Sequence, residues 1–217
     1  MEAATAVFLK KGYLGASMDE VAATAGVSKQ TVYKHFTDKD RLFREIVLAT
    51  TDEVAGLVRL VASTLDDTQD LEKDLANLGR RFISRLMEPQ LLRLRRLIIA
   101  NAERLPDVGR TWYERGFGRA LATLAGCFER LAKRELLRLD DPTLAAHHFV
   151  GLLLWIPVNQ AMFTGHRSSK AELERYADAA VRTFLAAYGI TSKPALNSVR
   201  RSETGKGRRA KRTAQAI

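Results

Sequence analysis

The chain reads as all-α, with about nine helices arranged as a small N-terminal unit and a larger C-terminal one. Apolar residues recur at three- and four-residue spacing over most of its length, helix-starting and helix-stopping residues punctuate that pattern, and almost no stretch alternates as a strand would. With 217 residues, 46% of them hydrophobic, the chain can bury a core of useful size in either unit.

Composition narrows the function classes. The single cysteine, Cys127, excludes an internal disulfide framework and any cysteine-based zinc cluster, as a reducing compartment leads one to expect. The opening "MEAATAVFLKKG" places acid before base and lacks an apolar block, so it does not read as a secretory signal. "FVGLLLWIPV", the longest apolar run, is about half of what a membrane span needs. A cytoplasmic protein with no membrane partner is expected. The net charge of +10 is concentrated at one end: eight Lys or Arg and one Glu lie from Thr191 onward, which leaves +3 for the residues before it. That end, 191–217, lacks periodicity and aromatic residues and reads as a basic disordered tail. It can add salt-sensitive phosphate affinity, but it cannot read a sequence.

The first helix is expected over roughly Glu2 to Lys11, with Ala4, Val7, Phe8 and Lys11 on one face and Gly12 as a left-handed stop. "SMDE" opens the second, where Ser17 caps the amides and Glu20 reaches back in a capping box. Val21, Ala22 and Ala25 form its buried face, and Gly26 turns the chain sharply. Ser28 then caps a short third helix. The pattern is a helix-turn-helix.

In "GVSKQTVYKHF", Val27 and Val32 are expected to point inward against the second helix, with Phe36 closing the small core. Lys29, Gln30, Thr31, Tyr33 and Lys34 then lie on the opposite or flanking faces. A helix that only packs has no use for so many long donors. In a major groove, Lys and Gln can address guanine or adenine edges and Thr can offer a methyl to thymine, while the positive end of the helix faces phosphate. Double-stranded DNA is the partner these residue types imply.

From Phe8 to Phe43, "FLKKGYLGASMDEVAATAGVSKQTVYKHFTDKDRLF" resembles the DNA-binding domain of TetR-family transcriptional regulators. Phe8, Gly12, Tyr13, Ser17, Val21, Ala22, Ala25, Gly26, Val27, Ser28, Thr31, Tyr33, Phe36, Lys39 and Leu42 carry the resemblance. It implies a DNA-binding set of Ser17, Ser28, Lys29, Gln30, Thr31, Tyr33, Lys34, His35 and Lys39, in which Lys29, Gln30 and Thr31 meet bases and Tyr33, His35 and Lys39 hold phosphates. Gln30 stands where many relatives carry a small residue, which shifts base readout. Relatives also carry a basic arm ahead of this region, so the resemblance implies either lost arm contacts or a start lying further upstream.

The remaining chain reads as six more helices, giving domains 1–46 for DNA binding, 47–190 for effector binding and dimerisation, and 191–217 for the tail. The fourth helix starts at Thr37 or Asp38 and is long enough to leave the first domain. Later starts fall at "LDDTQD", at Pro89, at Pro106–Asp107 and at "DDP" before Thr143. "LRRLIIANAERLPDVGRTWYERGFGR" resembles the effector domain of an AefR-like subgroup, which implies that the last two helices pair with their copies in a homodimer. The penultimate helix, "HHFVGLLLWIPVNQAMF", is apolar nearly all round and so is expected to be covered on both sides. Phe149, Leu153, Tyr176, Ala180 and Phe184 are the expected interface, and Pro157 is expected to kink the helix.

Phe82, Leu86, Ile99, Trp112, Phe117, Leu121, Phe149, Trp155 and Met162 supply apolar surface for a small hydrophobic or amphipathic effector, although ordinary packing accounts for each singly. His147 and His148 are adjacent and so face different ways, and no metal or cofactor is expected. With no phosphate-cradling glycine loop and no carboxylate pair on an apolar face, an enzyme is not expected. Two readings stay open: a regulator released from a palindromic operator by an effector, and a constitutive architectural DNA-binder relying on its tail.

Overall fold

The computed structural model describes residues 1–190, and the expected basic tail lies outside them. Its α-helices are α1 (Glu2–Gly15), α2 (Met18–Ala25), α3 (Lys29–His35), α4 (Lys39–Ala62), α5 (Leu71–Leu86), α6 (Pro89–Asn101), α7 (Pro106–Thr111), α8 (Arg119–Lys133), α9 (Pro142–Thr164) and α10 (Lys170–Tyr188). A π-helical segment, Trp112–Gly118, joins α7 to α8 without a break, so the described residues form nine separate rods. Among the described residues, strand pairing is limited to one isolated bridge, Leu137 to Gly189.

Local chemistry explains most boundaries. Asp38, Asp70 and Asp141 each accept a hydrogen bond from a first-turn amide, as the acidic starts lead one to expect. Pro89 and Pro106 stand at the first helical positions without a side-chain cap. The reciprocal capping box is found at Ser169–Glu172. At Ser17 only half of it forms: Ser17 Oγ accepts from the Glu20 amide at 3.2 Å, while the Glu20 carboxylate turns to Lys11 at 3.7 Å. Lys11 is accordingly exposed and is not part of the buried face. Gly12 does break α1, at φ +73° and ψ 173°, an extended conformation essentially restricted to glycine, and a last turn follows it to Gly15.

Two apolar clusters share the long helix α4. Leu42, Phe43, Ile46 and Val47 join Ala4, Val7, Phe8, Tyr13, Val21 and Val32 in the first. Val54, Val58, Val61 and Ala62 belong to the second, built around Phe128, Phe149, Leu153 and Phe184. Each fully buried side chain of this size contributes roughly 1.5–3 kcal/mol. Between the two sets sits Thr51, buried, its hydroxyl donating to the Leu48 carbonyl at 2.9 Å. The first cluster is not confined to the N-terminal helices, because Leu94 and Ile98 from α6 and Val108 from α7 complete it. Trp112 packs against both clusters.

α9 runs as one helix through Pro157, so the expected kink does not interrupt it. Its apolar circumference is only half covered. Phe149 and Leu153 are fully buried inside the chain, as are Ala180 and Phe184 on α10, so these four pack internally, while Tyr176 is half-buried. The uncovered side carries Leu144, Leu152, Ile156, Trp155 (73% exposed) and Phe163 (84% exposed).

Candidate nucleic-acid interface and effector cavity

The helix-turn-helix is assembled by three local devices. Ser17 starts α2 as described, and Gly26 ends it at φ +67°, ψ 28°, the left-handed turn that glycine adopts without steric cost. Ser28 starts α3 by accepting from the Thr31 amide at 3.1 Å. Val32 anchors α3 inward. At about 100° per residue, Gln30 and Lys34 then fall roughly opposite Val32, Thr31 and Tyr33 on the two flanks, and Lys29 and His35 nearer the buried side. Ser17, Ser28, Lys29, Gln30, Thr31, Tyr33, Lys34 and His35 are all exposed.

Several neighbours depart from expectation. Val27 is 43% exposed at the apex of the turn and Ala25 is exposed on the last turn of α2, so neither belongs to the core; Phe36 is half-buried against it. Lys29 is paired, its ammonium 2.5 Å from the Asp19 carboxylate on α2, which holds the lysine more firmly protonated than usual. The Thr31 hydroxyl is shared with Ser28 at 2.9 Å. Lys39 does not point outward as expected for a phosphate ligand. Its ammonium donates to the Ala16 carbonyl at 3.1 Å and the Leu14 carbonyl at 3.3 Å and lies 4.8 Å from the centre of the Tyr13 ring, stapling the start of α4 to the α1–α2 turn.

Tyr13, given no separate role from sequence, is the hub of this corner. It packs against Phe8 and Phe43, donates its hydroxyl to Asp40, and receives Arg104 over its ring at 5.6 Å. Burial, and then the Asp40 hydrogen bond, raises its pKa well above the ordinary tyrosine value. No local signal announces such contacts, because Arg104 and Asp40 reach Tyr13 from other elements.

The residues expected to line an effector cavity divide between two spaces. Phe82, Leu86, Trp112 and Phe117 surround an apolar void of about 20 Å³ with Thr51, Val54, Gly116 and Ala120, room for about one water. Ile99, Phe117, Trp155 and Met162 line a larger open cleft of about 550 Å³ between α6 and α9. Leu121 and Phe149 line neither space and are packed in the core. Phe117 is the wall common to both.

The π segment carries that wall. π-Helical turns are rare, occur mostly as single turns inside α-helices, and are frequent at functional sites. This one lies on α4 at the junction of the clusters, where a side chain on Gly116 would begin 3.3 Å from the Thr51 methyl. Arg119 and Asp52, 2.7 Å apart, tie its C-terminal end to α4.

A capped, glycine-turned pair of helices presenting outward donors, joined by a shared helix to a helical body with internal apolar space, defines the helix-turn-helix class of transcriptional regulators. Residues 1–46 match the model of bacterial regulatory proteins of the tetR family, and residues 73–190 match that of the AefR-like transcriptional repressor C-terminal domain. The chain belongs to the TetR family of DNA-binding transcriptional regulators. A solved TetR-family transcriptional regulator from Mesorhizobium loti MAFF303099 is 56% identical, with 87% of this chain and 94% of that one covered at a TM-score of 0.84. A TetR family transcriptional regulator from Pseudomonas syringae pv. tomato str. DC3000 is 27% identical, with 88% and 95% covered at a TM-score of 0.68. Among curated proteins, the transcriptional activator FasR of Mycolicibacterium smegmatis is 40% identical over 70 residues, 32% of each chain. The transcriptional repressor DhaR of Mycobacterium sp. strain GP1 is 33% identical over 67 residues, 31% of this chain and 32% of that one. The match thus spans about a third of these two curated relatives. No helix among the described residues is long and apolar enough to cross a membrane.

Proposed function

We propose that two copies of this chain bind a palindromic operator and repress transcription from it, and that a small hydrophobic or amphipathic effector entering the C-terminal body releases them. The observation that carries the reading is the outward display of Gln30 and Lys34, flanked by Thr31 and Tyr33, on the side of α3 opposite buried Val32. Gln30 and Thr31 address base edges in the major groove, joined by Lys29 once phosphate or a base replaces Asp19. Tyr33, Lys34 and His35 hold the backbone, and Ser17 and Ser28 set the two helix starts facing it. Lys39 acts through Tyr13 and the α1–α2 turn as a positioning residue.

Residues 1–46 serve as the reading domain and 47–190 as the effector and pairing domain. Support for pairing is the uncovered apolar side of α9, on which Leu144, Leu152 and Ile156 take the place of the buried residues expected from sequence. Support for an effector is the apolar space on either side of Phe117, and FrrA, a flavonoid-responsive regulator, is 26% identical with 87% of this chain covered. Effector binding works against the operator only through a difference in affinity between two states; a coupling of about 1–3 kcal/mol gives roughly 5- to 150-fold release.

Sequencing genomic fragments retained by the purified protein, followed by footprinting, tests the reading. Two protected half-sites one helical turn or a multiple apart are expected, with Gln30→Ala losing about 1–3 kcal/mol of discrimination at one position in each. A footprint indifferent to sequence and to every small molecule overturns it. Reporter transcription with and without the protein then separates repression from activation.

A further inference from the structure

The cleft between α6 and α9 is apolar on most of its walls, with Ile99, Leu154, Trp155, Met162 and Phe163 among them, yet Arg95 stands on its α6 side. Arg95 is half-buried, its guanidinium carbon 5.0 Å from the centre of the Phe117 ring. Neighbouring Arg96 is committed elsewhere, donating to the Ala161 carbonyl of α9. Arg95 is different: among the described residues no carboxylate pairs with it, and burial alone acts on it, lowering its pKa. Guanidinium stays protonated at any ordinary pH, so this cation has lost part of its hydration and has gained the Phe117 ring face but no anion. A cation held against apolar walls is costly unless an anion joins it.

We infer that the α6–α9 cleft is a binding site for an amphipathic carboxylate, whose head group pairs with Arg95 and whose hydrocarbon part lies along Ile99, Leu154, Trp155 and Met162. One planar guanidinium fork matches one planar carboxylate in two parallel hydrogen bonds. A phosphate dianion presents three acceptor oxygens in a tetrahedral array, which one planar fork meets only in part. The volume of about 550 Å³ lies within the range of small-molecule sites, roughly 300–1,000 Å³. Trp155 and Phe163, both largely exposed, gain cover from the hydrocarbon part. The inference rests on the effector reading above and names its ligand class. It also gives the ligand a route to α4, because a carboxylate that draws Arg95 away from Phe117 changes the packing of the π segment that rests on Thr51.

Binding of decanoate and of decan-1-ol to the full-length protein, followed by Trp155 fluorescence in a Trp112→Phe background without DNA, tests the site. Decanoate is expected to bind roughly tenfold to a hundredfold more tightly than the alcohol, as a charge-assisted pair provides. Arg95→Met is expected to bring the two ligands level while alcohol affinity, which reports an intact fold and cleft, is retained. Arg96→Ala is expected to keep the preference for decanoate, and decyl phosphate is expected not to exceed decanoate. Equal binding of acid and alcohol to the parent protein overturns the inference, as does a preference that survives Arg95→Met. Sedimentation showing that decanoate binds only as paired copies separate also overturns it, because the cleft is then a protein interface. If decanoate binds through Arg95 but never alters operator retention, the effector reading fails and the site stands. If other molecules release the operator while decanoate ignores Arg95, the site fails and the regulator reading stands.

Discussion

The Lys29 ammonium lies 2.5 Å from the Asp19 carboxylate, in the first turn of α2, two residues past the Ser17 cap. A cation on the recognition helix is thus neutralised before any duplex arrives. Asp19→Asn should free it, tightening binding to specific and random duplexes alike and steepening the dependence of log affinity on log salt by roughly 0.9 per phosphate gained. Fluorescence anisotropy across a salt series reads both. An unchanged slope would mean that Lys29 never meets phosphate.

Lys39 and Tyr33 share a phosphate role in the sequence reading, but the structure separates them. Lys39→Met removes two hydrogen bonds to the α1–α2 turn and should lower stability by about 1–2 kcal/mol. Tyr33→Phe, at an exposed position, should leave the melting temperature alone and weaken binding to every duplex. Thermal melts beside gel shifts distinguish them, and an unaltered melt for Lys39→Met would contradict the staple.

Space between Gly116 and Thr51 is already used. Gly116→Val drives a branched side chain towards the Thr51 methyl and should cost about 1–3 kcal/mol by overpacking. Thr51→Ala opens that space, so the double variant should recover part of the loss. Chemical denaturation of all four proteins in a cycle measures the coupling, and simple additivity would show that the π segment does not bear on α4 there.

Charges placed on the uncovered side of α9 should separate paired copies without disturbing the core. Leu152→Glu with Ile156→Glu is expected to sediment as single chains with helical content unchanged, whereas Phe149→Ala should instead cost about 3–5 kcal/mol of stability through its cavity. Pairing that survives both glutamates would place the interface elsewhere.

Tyr13 provides an alkaline signature. Its folded pKa is raised, so the folded state keeps the proton where the unfolded chain loses it. Its contribution is complete below the ordinary value of 10.0 and falls away as pH climbs beyond it. Denaturant midpoints should therefore drop more steeply above that pH in the parent protein than in Tyr13→Phe. Parallel slopes would contradict the buried hydroxyl.

What the sequence made legible was set by neighbours in the chain. Ser28, Gly26 and Val32 lie within a few residues of one another, and cap, turn and anchor all follow from short-range rules. Contacts spanning the fold were silent. Nothing near Lys39 in sequence indicates that the Leu14 and Ala16 carbonyls lie beside it. Hydrophobicity alone places Val27 in the core, but the turn that Gly26 makes leaves it at the apex. On α9 the fault was one of phase: a helix apolar all round does not reveal which side its own chain covers, so Phe149 and Leu153 were exchanged with Leu152 and Ile156. "WYERGFG" carries no signal that separates a π turn from an α turn.

Three side chains borrowed from α6 and α7 complete the first apolar cluster, so the reading unit cannot be excised intact. A fragment cut after residue 46 would lose Val47, Leu94, Ile98 and Val108 from its apolar cluster, and should tumble as a loose, exchange-prone chain. The whole protein, by contrast, should melt in a single cooperative step, because the first cluster is finished only when α6 and α7 are in place and Trp112 packs against both.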